Sequence, residues 1–291
     1  MGGDERRRAF ERQGLPHWDT FRLAYRRACD GLDRAAPWLG MLRTLRDLEG
    51  YTIHATDGDI GSVSSFLIDD QHWTVRYLVA ETGTFFDRSP RLIPVISFAR
   101  CDWSTRSFYV SLTRDRVKNA PRVDTDEPVS RQHESEQLTH YGHPFYWGLP
   151  GSWGEGGYPE LMTQGHPAAA PSSGDEHLRS VREVRGYGVH GTDGTVGHID
   201  DFIVDDESWQ IRYLVVDTSN WRHGKRVLLA PPWVSPVHWE ARELHVGVSR
   251  QNIEDSPAWS ATAPISRDYE QRLYDHYGQP VHWKSGERVA L

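Results

Sequence analysis

The sequence has few of the features that mark membrane-spanning or disulfide-stabilised proteins. Only two of its 291 residues are cysteines, so no disulfide framework is implied. No run approaches the ~20 apolar residues that a membrane span needs, and no signal peptide opens the chain. These absences predict a soluble protein that lies on the cytoplasmic side of any membrane it meets.

Motifs for common chemistry are also missing. The sequence has no Gly-rich phosphate loop, no Ser-His-Asp signature and no cluster of cysteines. Its net charge of −8 argues against general nucleic-acid binding. Cys101 aligns with Val237 in the repeat described next, which favours a small buried apolar side chain over a nucleophile. The sequence therefore gives no reason to expect an enzyme.

What the sequence does contain is a long internal repeat. The stretch YTIHATDGDIGSVSSFLIDDQHWTVRYLV, at 51–79, returns at a constant offset of 136 residues as YGVHGTDGTVGHIDDFIVDDESWQIRYLV, at 187–215. The match runs without a gap through Trp103 and Trp239 to the segment HYG-x-P-x-x-W that ends each copy. A self-match at a fixed period indicates a duplicated structural unit. We therefore predict two domains, at 45–147 and 181–283.

Each copy carries the signals of short β-strands. Thr-Asp-Gly at 56–58 and 192–194 predicts a hairpin, because Gly takes positive φ at no steric cost. The segment VRYLVA after Trp73 is apolar on both faces, which predicts a strand buried on both sides. About six such strands separated by turns predict a mainly β fold of two tandem small antiparallel β-barrels. A short helix should follow each barrel, from the N-caps Ser130 and Ser266 to Gly142 and Gly278.

The parts outside the two copies are predicted to be a linker, a tail and a helical segment. Residues 148–180 are rich in Gly, Pro, Ala and Ser, which is typical of an extended linker. Residues 284–291 form a C-terminal tail. Residues 1–44 precede the first copy and have no equivalent before the second, so this segment is the more individual part of the chain.

The N-terminal segment is basic and amphipathic. Residues 1–46 contain ten arginines and six acidic residues, a net charge of +4, so the remaining chain carries −12. Asp19-Thr20 can cap a helix with an apolar stripe, and Pro37 can begin a short second helix with Trp38, Met41, Leu42 and Leu45 on one side. Such a segment suits an anionic membrane surface or a protein partner, and packing on its own barrel is an equal alternative. The candidate contact residues are Phe21, Arg22, Tyr25, Arg26, Arg27, Leu32, Trp38 and Leu42.

Fifteen histidines raise the hypothesis of a metal site. The repeated ones are His54 with His190, and His140 with His276. A zinc site needs three or four converging ligands, and a catalytic histidine usually has an oriented partner. The only nearby repeated carboxylates are Asp57 and Asp193, which occupy turn positions. We therefore expect structural roles for these residues, with no metal site and no catalytic residue. Glu134 and Glu270 fall on a first helical turn, where a carboxylate favours the helix dipole.

The repeated pattern resembles the PRC-barrel family. The residues that carry the resemblance are Asp57-Gly58 and Asp193-Gly194, Gly61 and Gly197, Asp69 and Asp205, the RYLV segments at 76–79 and 212–215, and Pro94, where the second copy has Ala230. That family is named for the cytoplasmic domain of the photosynthetic reaction centre H subunit. It also includes the C-terminal domain of a ribosome-maturation factor. The resemblance implies a non-catalytic barrel that docks on larger assemblies.

The resemblance and the charge pattern lead to three functional hypotheses. The first is an H-subunit-like scaffold, peripheral at the cytoplasmic side of the inner membrane, whose partners are reaction-centre core subunits. It would stabilise that core and shield its quinone side, binding no cofactor directly, with quinone and bacteriochlorophyll only as neighbours in the partner complex. The second is a ribosome- or RNA-associated assembly factor that binds a basic protein rather than nucleic acid. The third is a soluble stress protein with a small ligand between the barrels.

Overall fold

The structure is a computed structural model that describes residues 41–82, 90–124, 128–147, 152–153, 159, 176–219, 224–234 and 237–281. These residues belong to one compact unit, Gly40–Leu291. The fold is mainly β with few helices, as predicted. Within the described part of the chain, no helix is long and apolar enough to cross a membrane.

The two copies share most of their elements, but the strands Phe98–Asp102 and Val129–Ser130 of the first copy have no counterpart strand in the described part of the second. In the first copy the elements are β1 Leu42–Thr44, α1 Leu45–Leu48, β2 Thr52–Ala55, β3 Gly58–Asp69, β4 Thr74–Thr82, β5 Arg91–Pro94, β6 Phe98–Asp102, β7 Ser107–Val110, α2 Arg114–Lys118, β8 Val129–Ser130 and α3 Arg131–Tyr141. In the second copy they are β9 Glu176–Ser180, α4 Val181–Val184, β10 Gly188–Gly191, β11 Gly194–Asp205, β12 Ile211–Asp217, β13 Arg226–Leu229, β14 Glu243–His245, α5 Arg250–Asp255 and α6 Arg267–His276. Short 3-10 turns at Val95–Ser97 and Pro231–Trp233 follow β5 and β13.

Each copy forms one curled sheet, and five strands follow the same order in both. The first sheet runs β5-β4-β3-β2-β7-β6 and the second runs β13-β12-β11-β10-β14, so both are half-barrels. The sheets are otherwise antiparallel, as predicted, but one pair in each is parallel. The pairs β2–β7 and β10–β14 are parallel, because the chain returns beside its starting strand in the same direction.

The central strand β4 is buried on both faces, as its apolar sequence predicts. Residues Thr74–Ala80 are all buried. Val75 and Leu78 face the large core inside the curled sheets, whereas Tyr77 and Val79 face a smaller core under α3. That smaller core also contains Leu178 of β9, which comes from the second copy.

The helix caps follow the sequence closely. The Ser130 hydroxyl accepts a hydrogen bond from His133 N, and Gly142 ends α3 in the left-handed conformation at φ +70°. Ser266 caps α6 in the same way. The Asp-Gly hairpins also form, with Gly58 at φ +132°. Asp57 instead accepts a hydrogen bond from Arg114 N at 2.7 Å, which ties the hairpin to the start of α2.

The two copies exchange a strand. β1 is the first strand of the first copy, yet it pairs antiparallel with β11 of the second sheet through Leu42↔Asp205 to Thr44↔Ile203. β9 is the first strand of the second copy, and it pairs with β3 of the first sheet through Leu178↔Asp69 to Ser180↔Leu67. These two pairings are equivalent under the repeat offset. The expected boundaries at 45 and 181 therefore each miss one strand, and the end of the expected linker at 148–180 is β9.

The copies also pair directly at equivalent positions. Thr74 forms a β-bridge with Gln210, which is its own counterpart in the repeat. Val75 N donates to Trp209 O at 2.8 Å, and Ile211 N donates to Trp73 O at 2.7 Å. Such reciprocal contacts are those of a two-fold interface, here within one chain.

Trp209 carries this contact into the core of the first copy. Its ring lies 5.0 Å from Phe98, 6.0 Å from Phe108 and 6.4 Å from Phe66, centroid to centroid. Only 2% of Trp209 is exposed, whereas its counterpart Trp73 is only partly buried. An aromatic side chain of the second copy is thus part of the first copy's core.

We predict that Trp209→Ala destabilises the protein by about 3–5 kcal/mol, the usual cost of removing a fully buried aromatic side chain. Trp73→Ala is the matched control, because both tryptophans have positive φ and both precede the paired strands. Its cost should be clearly smaller, since Trp73 is only half-buried. Urea unfolding of the full chain measures both changes, and equal losses of stability would contradict the packing asymmetry.

Candidate functional site

The predicted contact residues lie almost entirely outside the described part of the chain. Phe21, Arg22, Tyr25, Arg26, Arg27, Leu32 and Trp38 belong to residues 1–40, so their role stays a prediction. Leu42 is described, and the expected helix through this residue is wrong. It lies in β1, pairs with Asp205 and packs partly buried against the core, and the helix α1 begins only at Leu45. The backbone pairing to β11 explains why this short segment is extended.

Charged side chains fasten each exchanged strand. Arg43 of β1 donates from Nε to Asp206 Oδ2 at 2.8 Å, and Met41 N donates to Asp206 Oδ1 at 2.8 Å. The Arg43 guanidinium also lies 3.7 Å above the Trp103 ring. In the equivalent place, Arg179 of β9 lies 3.9 Å from Asp70 and 4.7 Å from the Trp239 ring. In each copy, the second aspartate of the Asp-Asp turn thus forms an ion pair with the arginine of the strand that the other copy supplies.

A second group of polar and charged side chains comes from β3 and β4 of the first sheet, from α3 and the segment after it, and from the exchanged strand β9. We call it the buried polar cluster: Asp69, Arg76, Glu134, Tyr146 and His177. All five side chains are buried. Glu134 Oε2 accepts a hydrogen bond from the Tyr146 hydroxyl at 3.0 Å and lies 2.8 Å from His177 Nε2. Since His177 belongs to the exchanged strand β9, the cluster joins the two copies.

Asp69 and Arg76 form the charged centre of this cluster. Arg76 donates from Nε and Nη2 to Asp69 Oδ2 at 3.2 and 2.9 Å. Burial alone raises the pKa of Asp69, but the neighbouring Arg76 outweighs it and holds this pKa far below its usual range. The Arg76 guanidinium also lies 3.5 Å from the Tyr146 ring and 4.3 Å from the Trp153 ring. The pair is therefore enclosed on its open side by aromatic rings.

Ser152 and Trp153 belong to the expected linker but dock on this cluster. Arg76 Nη1 donates to Ser152 O at 2.5 Å, and Trp153 Nε1 donates to Ser208 O at 2.7 Å. Trp153 is almost fully buried. This part of 148–180 is therefore packed rather than extended, because it covers a charge pair that solvent would otherwise reach.

The adjoining cavity has a volume of about 10 Å³, which is room for one water molecule. Arg76, Tyr77, Tyr146 and Trp153 line it, together with apolar side chains. The Tyr77 hydroxyl forms no well-aligned hydrogen bond among the described residues, and burial together with the nearby Glu134 raises its pKa well above the ordinary value. A single buried water would satisfy such a hydroxyl. The cavity is far too small for an organic ligand.

The second copy keeps part of this arrangement and loses the rest. The Tyr213 hydroxyl donates to Glu270 Oε1 at 2.7 Å, and Arg212 lies 3.1 Å from Asp205. Met41 stands where the first copy uses His177, so this corner lacks the imidazole. The Arg212 side chain is 29% exposed, against 1% for Arg76. The buried polar cluster is thus specific to the first copy.

A Ser-His-Asp arrangement occurs on the surface of the first sheet. His54 Nδ1 lies 2.6 Å from Asp59 Oδ1, and its Nε2 lies 3.4 Å from Ser107 Oγ. Ser107 is only 4% exposed, and its hydroxyl donates to Thr105 O at 3.1 Å. A nucleophile must be able to reach its substrate. The arrangement orients His54 without presenting a nucleophile, which fits the structural role expected for this histidine.

Sequence reasoning missed the buried polar cluster, although one signal was available. The sequence pattern places Glu134 on the first turn of a helix, where it favours the helix dipole, and His177 in the linker. However, Leu178-Arg179-Ser180 matches Leu42-Arg43-Thr44 at the same offset of 136 residues. Extending the repeat by these three residues would have placed His177 beside a strand of the duplicated unit.

Comparison with known proteins finds a family match over part of the chain. Residues 176–246 match the PRC-barrel domain. This range begins with β9 and ends after β14, so the exchange places a strand of the matched domain on the other copy's sheet. An uncharacterized protein of Deinococcus radiodurans is 29% identical over 103 residues. The match covers 31% of this chain and 37% of that relative, so it spans little more than a third of the relative's length.

We predict that Arg76→Leu destabilises the protein by about 3–5 kcal/mol at pH 7, because Asp69 would remain buried without its cation. Arg212→Leu is the matched control at the partly exposed equivalent and should cost about 1 kcal/mol or less. Urea unfolding of the full chain measures both. Equal losses of stability in the two variants would mean that burial does not distinguish the Asp69–Arg76 pair from the Asp205–Arg212 pair.

The cost of Arg76→Leu should also depend on pH. In the wild type the pKa of Asp69 is depressed on folding, so its stabilising contribution is present above about pH 4 and is lost as the pH falls further. In the variant, burial without the cation raises that pKa, so lowering the pH relieves the penalty. The stability difference should therefore shrink between pH 7 and about pH 4. A difference that stays constant over this range would contradict the assignment to Asp69.

Proposed function

We propose that this chain is a non-catalytic docking subunit built from two interlocked PRC-barrel copies, with residues 1–40 as its attachment segment. The observation that carries the proposal is the reciprocal exchange of β1 and β9. Because each sheet uses a strand from the other copy, the two barrels present one fixed composite surface. A scaffold that holds a larger assembly together benefits from such a fixed surface, since little conformational freedom is lost on binding.

Assigning the first copy to the same family extends the match at 176–246. Its support is the gapless repeat, together with an order of five strands that is the same in both sheets. The proposal of a non-catalytic role is supported by the burial of Ser107 beneath His54 and by the small size of the cavity beside Arg76. A site for small-molecule turnover needs a larger opening and an accessible reacting group.

Charge supports a membrane-peripheral partner. The body after residue 46 carries −12, so an anionic membrane would repel it, whereas the N-terminal segment carries +4. Each Arg near an anionic surface contributes about 1 kcal/mol of attraction. We propose that this segment attaches the body to a membrane protein complex at the cytoplasmic side of the inner membrane. Reaction-centre core subunits are the specific candidate, and the family resemblance is what supports them.

The acidic body also supports a second candidate, an assembly factor that binds a basic ribosomal protein. The two candidates make different demands on the N-terminal segment. Membrane attachment requires its arginines and apolar residues, whereas a basic ribosomal protein would bind the acidic barrels. The third hypothesis, a small ligand between the barrels, is less well supported, because paired strands and Trp209 occupy the described junction between the two copies.

We predict that deleting residues 1–40 leaves a folded body that no longer binds vesicles containing anionic lipid. Deleting residues 1–44 should in addition lower the stability, because it removes β1 from the second sheet. Circular dichroism with thermal unfolding measures the folding of each deletion variant, and vesicle flotation measures the binding. Arg22→Glu, Arg26→Glu and Arg27→Glu together should weaken flotation at low salt and matter less at high salt.

Purification of the full chain from its native cells then distinguishes the two candidates. Recovery with a pigmented membrane complex, lost on deletion of 1–40, supports the reaction-centre proposal. Recovery with ribosomal particles by both forms supports the assembly-factor candidate instead. If the form lacking 1–40 binds vesicles as well as the full chain does, the attachment segment is wrongly assigned.

A further inference from the structure

Strand register places four histidines and a glutamate on one exposed face of the second sheet. His190 pairs with His245 across β10 and β14. Gly188, two residues before His190, pairs with both His198 and Glu243, and Glu243 also pairs with His238. We call His190, His198, His238, Glu243 and His245 the histidine face. The side chains that point the other way are core residues, so this face is turned to solvent.

The side chains of this face converge on Glu243. His190 Nε2 lies 3.5 Å from one carboxylate oxygen of Glu243, and His245 Nε2 lies 3.6 Å from the other. The rings of His190 and His245 stack at 5.2 Å, and His238 meets His245 edge-on at 5.0 Å. Zinc bonds to imidazole nitrogen and carboxylate oxygen are about 2.0–2.2 Å long, so tetrahedral ligands lie ~3.3–3.5 Å apart. Each of the two nitrogen–oxygen separations is close to that spacing, although they involve different oxygens of Glu243.

The surroundings of His190 suit a metal ligand. Its Nδ1 lies 3.4 Å from the Thr195 hydroxyl, which leaves Nε2 directed towards Glu243. Ligand histidines usually engage an oxygen through their other ring nitrogen in this way. A Cβ at Gly188 would lie 3.1 Å from His190 Nε2 and 3.9 Å from Glu243 Cγ. Glycine at this position therefore leaves room where the donors meet.

The first copy supplies an internal comparison, because the fold there is the same. At the positions of His198, His238, Glu243 and His245 it has Ser62, Asp102, Ser107 and Tyr109. Only His54 corresponds to a histidine, and its Nδ1 pairs with Asp59. The barrel thus forms without these imidazoles. The fold therefore does not explain why the second copy groups these histidines here.

We propose that the histidine face binds a divalent transition metal ion, zinc being the best chemical fit, through His190, Glu243 and His245, with His238 as a further ligand. Imidazole and carboxylate together favour zinc, copper or nickel over magnesium or calcium. Within the described residues no three donors already surround a common metal position, so binding requires side-chain rotation. Glu243 and His245 are 40% and 43% exposed and can rotate. The site is independent of the proposed docking function.

Titration of the untagged full chain with zinc chloride, followed by calorimetry, tests this site. A binding event should be present in the wild type and should weaken by about tenfold or more in His190→Ala and in His245→Ala. His54→Ala is the matched control in the first copy and should leave the affinity unchanged. Glu243→Gln keeps the side-chain shape and should weaken binding as well. Circular dichroism checks that each variant is folded.

A gain of function provides a test that loss of folding cannot imitate. Ser107→Glu with Tyr109→His builds two of the missing ligands beside His54 and should add a second zinc event of lower affinity. The proposal is overturned if the wild type binds no zinc, or if His190→Ala and His245→Ala both bind zinc as the wild type does. It is also overturned if His54→Ala weakens binding as much as they do, because the ion would then not recognise the histidine face.

Discussion

The structure depends on backbone pairing between equivalent residues of a duplicated unit. Thr74 bridges Gln210, and on either side each copy donates one N–H to the other. Under a two-fold relation such backbone bonds come in equivalent pairs, as these two do. The exchanged strands β1 and β9 extend the same symmetry outward. Neither copy completes its sheet alone, because each needs the first strand of the other copy.

Duplication fixed the interface but left other positions free to differ. Arg46 Nη2 donates to Asp200 O at 2.6 Å, and its counterpart Arg182 donates to Ser64 O at 2.7 Å, so this part of the junction is preserved in both directions. Away from the junction the copies diverge. The first has the buried polar cluster around Glu134, whereas the second has the histidine face around Glu243. The same fold therefore carries a buried group of polar side chains in one copy and an exposed group in the other.

The buried polar cluster makes this frame specific as well as stable. Buried ion pairs are costly to desolvate, and their value depends on complete hydrogen bonding. Asp69 also accepts hydrogen bonds from Gln71 N and His72 N, and Arg76 donates to the Ser152 carbonyl, while the Tyr146 and Trp153 rings cover the guanidinium. His177 reaches the cluster only when β9 lies on the first sheet. Correct strand exchange and satisfied charges therefore require each other.

The sequence by itself determined the duplication, the β-rich class and the local geometry. The Asp-Gly hairpins, the Ser130 cap and the Gly142 stop depend on neighbours a few residues away, so local patterns predict them. Tertiary structure decided which sheet each terminal strand joins. Leu42-Arg43-Thr44 faces two nearly identical targets, Leu67-Ile68-Asp69 in its own copy and Ile203-Val204-Asp205 in the other. Because the copies are so alike, local sequence cannot distinguish these pairings. Which sheet each terminal strand joins depends on the path of the whole chain. The buried polar cluster and the junction between the copies follow from that path.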